Sequence, residues 1–207
     1  MSKHNNKKQN IFQVYGYNNC LSLLKEADYK IISIQILDEK KSVFSQKIDF
    51  QKYSKSIHFL SKKDFYKKFD NIRSQGIVIY FEGPIIRKFD NYKLENQNSC
   101  LLILDQIEDP QNAGQIIRTA ECAGINGIIF PSHNSFKLTN TIINISQGAF
   151  VNMHLYEVTN ISTTILELKK NDYWIIGIEN SIDSKLWSEL DYSGNIAIVV
   201  GSEGKGI

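Results

Sequence analysis

The sequence predicts an α/β chain: a small α/β unit, then a larger half built on a parallel sheet with helices on both faces. Three observations predict it. After residue 100, strand-like and helix-like stretches alternate, the order that βαβ units produce. The strand-like run Leu101–Leu104 is short and continuously apolar, which suits a parallel strand covered on both faces. Before residue 80 the pattern differs, because Ile32, Ile34 and Ile36 alternate with Ser33 and Gln35, as in a strand half exposed to water.

Taken in order, residues 1–10 form a polar, basic tail that is expected to be disordered. Residues 11–80 make the first unit. Asn18 or Asn19 is expected to cap a helix with Leu21, Leu24 and Ala27 inward. The strand around Ile34 follows, and then a charged, irregular stretch from Lys40 to Ser56. Ile57–Leu60 reads as a strand, Lys62–Phe69 as a short helix and Gly76–Tyr80 as another strand. Lys62, Lys63, Lys67 and Lys68 alternate with Phe65, Tyr66 and Phe69, a mixture that can hold phosphates and stack on bases. Helical spacing nevertheless assigns Phe65 and Phe69 to the core. Residues 81–99 carry Gly83-Pro84, Asn91, Asn96, Gln97 and Asn98 and read as a linker.

The second half, residues 100–207, is organised around the stretch from Leu101 to Gly124. Asp109-Pro110 ends the first strand, and Asn112 is expected to cap a helix from about Ala113. Ala113, Ile116, Ile117, Ala120 and Ala123 form its apolar stripe, and Gly124 suits the position that ends it. Arg118 lies off the stripe, one turn into the expected helix, near the end where anions bind. A strand's carboxyl end leading into a helix is where open α/β sheets place ligands. Strands are then expected at Gly127–Phe130, Leu155–Val158, Trp174–Ile178 and Ile196–Val200, with helices at Thr139–Gln147 and Ser162–Lys170. Residues 180–193 read as a polar connection. The last strand leads into Gly201-Ser-Glu203-Gly204-Lys-Gly206, whose glycines permit close backbone approach and positive φ. Its spacing fits neither a P-loop nor a dinucleotide turn.

Bulk properties exclude several classes. No apolar run approaches the ~18–20 residues that span a bilayer, and the N-terminus lacks the apolar core of a secretory signal. Cys20, Cys100 and Cys122 are odd in number and unpaired in spacing, as for free thiols in the cytoplasm, and the four His residues are too scattered for a metal site. The net charge of +2 hides an asymmetry. Residues 1–98 hold 18 of the 24 Lys and Arg but 10 of the 22 Asp and Glu, a balance of +8 against −6 for the remainder. A basic half joined to an acidic half is a hint of nucleic-acid binding.

Two motifs narrow the reading. Asn112-x-Gly114-x-x-x-Arg118-Thr-Ala120, preceded by a strand ending in Asp105 and followed by Gly124, resembles the first motif of the SpoU (TrmH-type) RNA ribose 2′-O-methyltransferases. Ile198-Val-Val-Gly201-Ser-Glu203-Gly204-Lys-Gly206-Ile resembles their second, and Ser146-x-Gly148-Ala149 a further segment between them. The resemblance implies a SPOUT-type fold with a trefoil knot, an exception to the rule against knotted chains. It also implies S-adenosylmethionine as methyl donor and RNA as acceptor, a guanosine of large-subunit ribosomal RNA rather than transfer RNA. Pairing of two copies through the methyltransferase domain is implied too. Val14-Tyr-Gly16 and Gln75-Gly76-Ile77 resemble the ends of the family's small RNA-binding domain, although Ser74 stands where a His is usual.

The resemblance places Asn112 at the active site, Gly201 toward the donor and Glu203, a further catalytic candidate, toward the RNA or the active-site edge, with Gly177 and Gly206 as further donor-pocket candidates. Arg118 is the candidate for offsetting charge that grows on the attacking oxygen, or for gripping a phosphate. A guanidinium, with pKa above ~12, is a poor base, which favours the electrostatic role. The chain stops at Ile207, before the family's third motif with its Ser-Leu-Asn run, so the domain is expected to be incomplete. The alternative is then an inactive remnant that only binds RNA. A phosphotransferase using Gly201–Gly206 ranks lower, since no phosphate-binding lysine or acidic metal pair accompanies the loop.

Overall fold

The computed structural model describes residues 11–89, 98–181, 184–202, 204 and 206. The basic tail at 1–10 lies outside them. The chain divides into two compact units, meeting between Pro84 and Ile85.

The first unit is a four-stranded sheet in the order β1 (Phe12–Tyr15), β4 (Ile77–Glu82), β2 (Lys30–Leu37), β3 (Ile57–Leu60). β4 runs antiparallel to both its neighbours, and β2 and β3 are parallel. Helix α1 (Tyr17–Lys25) starts behind Gly16, whose φ of 88° is one that side chains rarely adopt, and has no side-chain cap. Asn18 and Asn19 therefore do not cap it. Asn19 is buried in the first turn, its Nδ2 donating to the Tyr15 carbonyl at 2.9 Å, and Cys20 and Leu23, not Leu21, Leu24 and Ala27, turn fully inward. The stretch that reads as irregular holds a short helix, α2 (Lys41–Ser45), that buries Phe44.

Helix α3 (Lys62–Phe69) has the predicted bounds. Ser61 caps it by accepting from the Asp64 amide, and Phe65 and Phe69 pack with Leu37 and Val78. That packing corrects the half-exposed reading of β2. Gln35 is only 9% exposed, and its Oε1 accepts from Lys68 Nζ at 2.9 Å. The polar residues of the alternation are thus satisfied inside the protein as much as by water.

The second unit is a six-stranded, wholly parallel sheet in the order β5 (Ile86–Lys88), β8 (Leu155–Val158), β7 (Gly127–Pro131), β6 (Cys100–Leu104), β10 (Asn195–Val200), β9 (Tyr173–Ile178). The expected linker at 81–99 therefore contributes the end of β4 and an edge strand of this sheet. Helix α6 (Ile161–Lys170) seats Leu168, with Ile161 and Ile165, on a cluster of Leu101, Ile103, Ile129, Ala197 and Val199. Successive strand residues face opposite sides, so Ile128 and Phe130 point away from that cluster and are equally buried, Phe130 lying 4.4 Å from the Phe136 ring. Helices α4 (Pro110–Cys122) and α5 (Asn140–Ile145) pack against each other. Among the described residues no helix is long and apolar enough to cross a membrane.

Candidate active site at the carboxyl edge of the parallel sheet

Because all six strands point the same way, their carboxyl ends share one edge. β6 and β10 pair through Leu104 and Val200, and β10 pairs with β9 through Val199 with Gly177 and Val200 with Ile178. The Asp105 amide then donates to the Val200 carbonyl at 2.8 Å, one residue beyond the last strand pair. The turn leading to α4, the glycine-rich loop after β10 and Gly177 are thereby gathered at neighbouring positions. In the loop, Ser202 and Gly206 form an antiparallel bridge, with the Gly206 amide donating to the Ser202 carbonyl at 3.0 Å. Gly206 has φ 71°, a conformation favouring glycine. Glu203 lies outside the described residues.

Helix α4 starts earlier than expected. Asp109 is its cap, accepting from the Gln111 amide at 3.0 Å, and Pro110 is its first residue. Proline suits that position because its fixed φ is helical and its missing N–H would have no partner there, while a carboxylate favours the positive end of the helix. Asn112 is therefore a partly buried first-turn residue and not the cap. Arg118 is displaced by the same correction. It lies two turns in, about 12 Å from Pro110 at ~1.5 Å per residue, away from the helix start. Its side chain is exposed and makes no hydrogen bond or ion pair with a described residue. Of the expected stripe, Ala113, Ile117 and Ala120 are buried, joined by Gly114, while Ile116 is half-buried and Ala123 exposed; Gly124 closes the helix at φ 77°.

Beside Gly177 the structure opens a cleft of about 580 Å³ between β9, β10 and residues 179–181 and 184–192. Ile176, Ile178 and Ile198 line its floor, and Leu186, Trp187 and Leu190 its far wall. Sequence reasoning does not find that wall. The segment is polar on average, but Leu186, Trp187 and Leu190 stand out as apolar residues within one turn. The Trp187 carbonyl accepts from the Tyr192 hydroxyl at 2.7 Å and the Leu186 amide donates to Glu189 Oε2 at 3.2 Å, which braces the wall. A smaller polar hollow of about 300 Å³ lies over the ends of β6, β7 and β8, lined by Asp105, His133, Asn134 and Ser162 among others.

Ser146-x-Gly148-Ala149 is a packed helix end. Ser146 is fully buried with its hydroxyl donating to the Ile143 carbonyl at 2.8 Å, and Gly148 has φ 95°. Cys20 is buried inside the first unit, and burial pushes its thiol well above the usual range.

The model of the SpoU rRNA Methylase family matches residues 99–207, the half that carries this edge. The 23S rRNA (guanosine-2′-O-)-methyltransferase RlmB of Shewanella oneidensis is 32% identical over 208 residues, covering 97% of this chain and 82% of that protein. A Staphylococcus saprophyticus protein, named as a TrmH family tRNA/rRNA methyltransferase, is 40% identical over 139 residues. That match takes in 64% of this chain and 55% of the relative, little more than half its length. Among solved structures, an AdoMet-bound rRNA methyltransferase from Sinorhizobium meliloti superposes with TM-score 0.73 at 18% identity over 95% of this chain and 72% of that one. An RNA 2′-O ribose methyltransferase superposes with TM-score 0.76 at 16% identity over 96% and 74%. Those two share the fold. With the family's model matching the parallel-sheet half, and a relative 32% identical along 97% of the chain, the chain belongs to the SpoU rRNA methylase family.

Proposed function

We propose that this chain transfers a methyl group from S-adenosylmethionine to a ribose 2′-hydroxyl of RNA, a guanosine of large-subunit ribosomal RNA. The observation that carries the proposal is the Asp105–Val200 hydrogen bond, which draws the Asn112 turn and the glycine loop together beside the Gly177 cleft. The cleft fits the donor. Its volume of about 580 Å³ lies in the range of small-molecule sites, and its apolar floor and exposed indole suit a nucleoside. Gly177, without a side chain, lets the donor approach the backbone. When bound, the donor supplies a methyl group already activated on a sulfonium.

The protein's task is then alignment and charge. Gly177, Gly201 and Gly206 form the donor side, and Asn112, in the first turn of α4, is assigned to the ribose side. The Arg118 guanidinium, uncommitted to any described residue, offsets negative charge growing on the 2′-oxygen or holds an adjoining phosphate. Glu203 is assigned to the RNA side. The first unit, residues 11–80, binds the RNA through its basic surface, with Lys62, Lys63 and Lys67 exposed on α3.

Two copies join through the second unit. In support of this, β9 is an edge strand of the sheet, and an edge strand presents backbone groups on which another chain can pair. Sedimentation should show a dimer. Incubating the purified chain with labelled donor and 23S rRNA transcript, then mapping alkali-resistant positions, tests the activity. A donor-dependent 2′-O-methylguanosine is expected. RNA binding with no transfer would reject the enzyme reading in favour of a protein that only binds RNA.

A further inference from the structure

We infer that Gly114 is the positioning residue of this site: it sets the distance between α4 and α5 and so aims Asn112 and Arg118. The inference rests on the methyl-transfer reading for its activity arm. A Cβ added at Gly114 would lie 2.7 Å from both Cβ and Cγ2 of Ile145 and 3.3 Å from the Ile142 carbonyl oxygen. Real Cβ contacts essentially never fall below 3.0 Å, so the two helices touch more closely than any side chain at 114 permits.

Backbone conformation does not explain this glycine. Gly114 is absent from the positive-φ positions and sits inside a helix, where glycine costs stability relative to alanine. A glycine kept there calls for a packing reason, and Ile145 supplies it. At its other end α4 is tied by Glu121, whose Oε1 accepts from Asn152 Nδ2 at 3.0 Å. Between these two attachments lies Arg118, one turn beyond Gly114, and Asn112 lies just before them. A methyl group at 114 would push the start of α4 off Ile145 by roughly an ångström while the far end stays tied. Misplacement on that scale is enough to cost about 10²-fold in rate.

The test compares Gly114→Ala, Ile145→Gly and the double variant. Backbone amide resonances of residues 111–119 should shift in Gly114→Ala, and kcat should fall about 10²-fold. Donor affinity should stay within about twofold, because β9 and β10, not α4, line the cleft. In the double variant, where both atoms within 2.7 Å of the new Cβ are gone, resonances and kcat should return toward wild type. Unchanged resonances and kcat in Gly114→Ala would overturn the inference, as would a double variant that recovers neither. Should wild type transfer no methyl group, the functional reading fails, while the resonances and their recovery still decide the packing claim. Should Gly114→Ala not fold, recovery of folding and rate in the double variant decides it.

Discussion

Asp105 and Val200 are joined by a backbone hydrogen bond of 2.8 Å, which extends the β6–β10 pairing past the end of both strands. The residues that follow each of them belong to the two loops of the site. The next strand along, β9, brings Gly177 to the same edge, opposite Val199.

Gly177 lines the cleft by its backbone, between the floor residues Ile176 and Ile178, so a side chain at 177 tests whether the donor reaches that backbone. Gly177→Val places a β-branched residue, favourable in a strand, at an exposed position of β9. Calorimetric titration should show donor affinity weakened by more than about tenfold, with the melting temperature within a few degrees of wild type. Full donor affinity would remove Gly177 from the pocket.

The cap of α4 separates stability from activity. Asp109→Ala removes the carboxylate that accepts from the Gln111 amide and should cost about 1 kcal/mol in urea unfolding. Asn112→Ala, inside the first turn, should cost less stability and more activity. The reverse order would restore Asn112 as the cap.

That correction shows what the sequence can convey. Strand and helix order after residue 100 is legible because parallel strands buried on both faces are short apolar runs, and β8 and α3 fall on the predicted bounds. The cap of α4 is misplaced by sequence alone because Asp109-Pro110, which reads as the break after the strand, begins the helix, while the strand itself ends at Leu104. β5 escapes because Ile86–Lys88 is three residues long and mostly charged, so its pairing with β8 is set by the sheet and not by a local pattern. The wall of the cleft escapes for a similar reason: Leu186 and Trp187 stay 65% and 79% exposed, and no periodicity marks them.

Lys62, Lys63 and Lys67 are exposed on α3, whereas Lys68 is held by Gln35. Replacing the first three with Ala should weaken RNA binding without sequence preference. It should also reduce the slope of log affinity against log salt by about one for each phosphate that is no longer neutralised. An unchanged slope in filter binding at several salt concentrations would take α3 out of the RNA surface.

His154 carries a pH dependence. Partial burial, and then the positive charge of Arg87, hold its imidazole below the ordinary 6.5. The fold therefore favours the neutral ring, so the unfolded chain binds more protons in the interval between the lowered value and 6.5. Stability present above that interval is lost as pH falls through it. The melting temperature should drop on acidification below about pH 6.5, and His154→Gln should flatten the decline. A decline of the same size in the variant would assign it to other groups.

The most direct test of the whole account is single-turnover methyl transfer to 23S rRNA by wild type and Arg118→Ala, with donor and RNA affinities measured alongside. If the guanidinium offsets charge in the transition state, the rate should fall about 10²–10³-fold while donor affinity holds. An Arg118→Ala chain that methylates at the wild-type rate would contradict it.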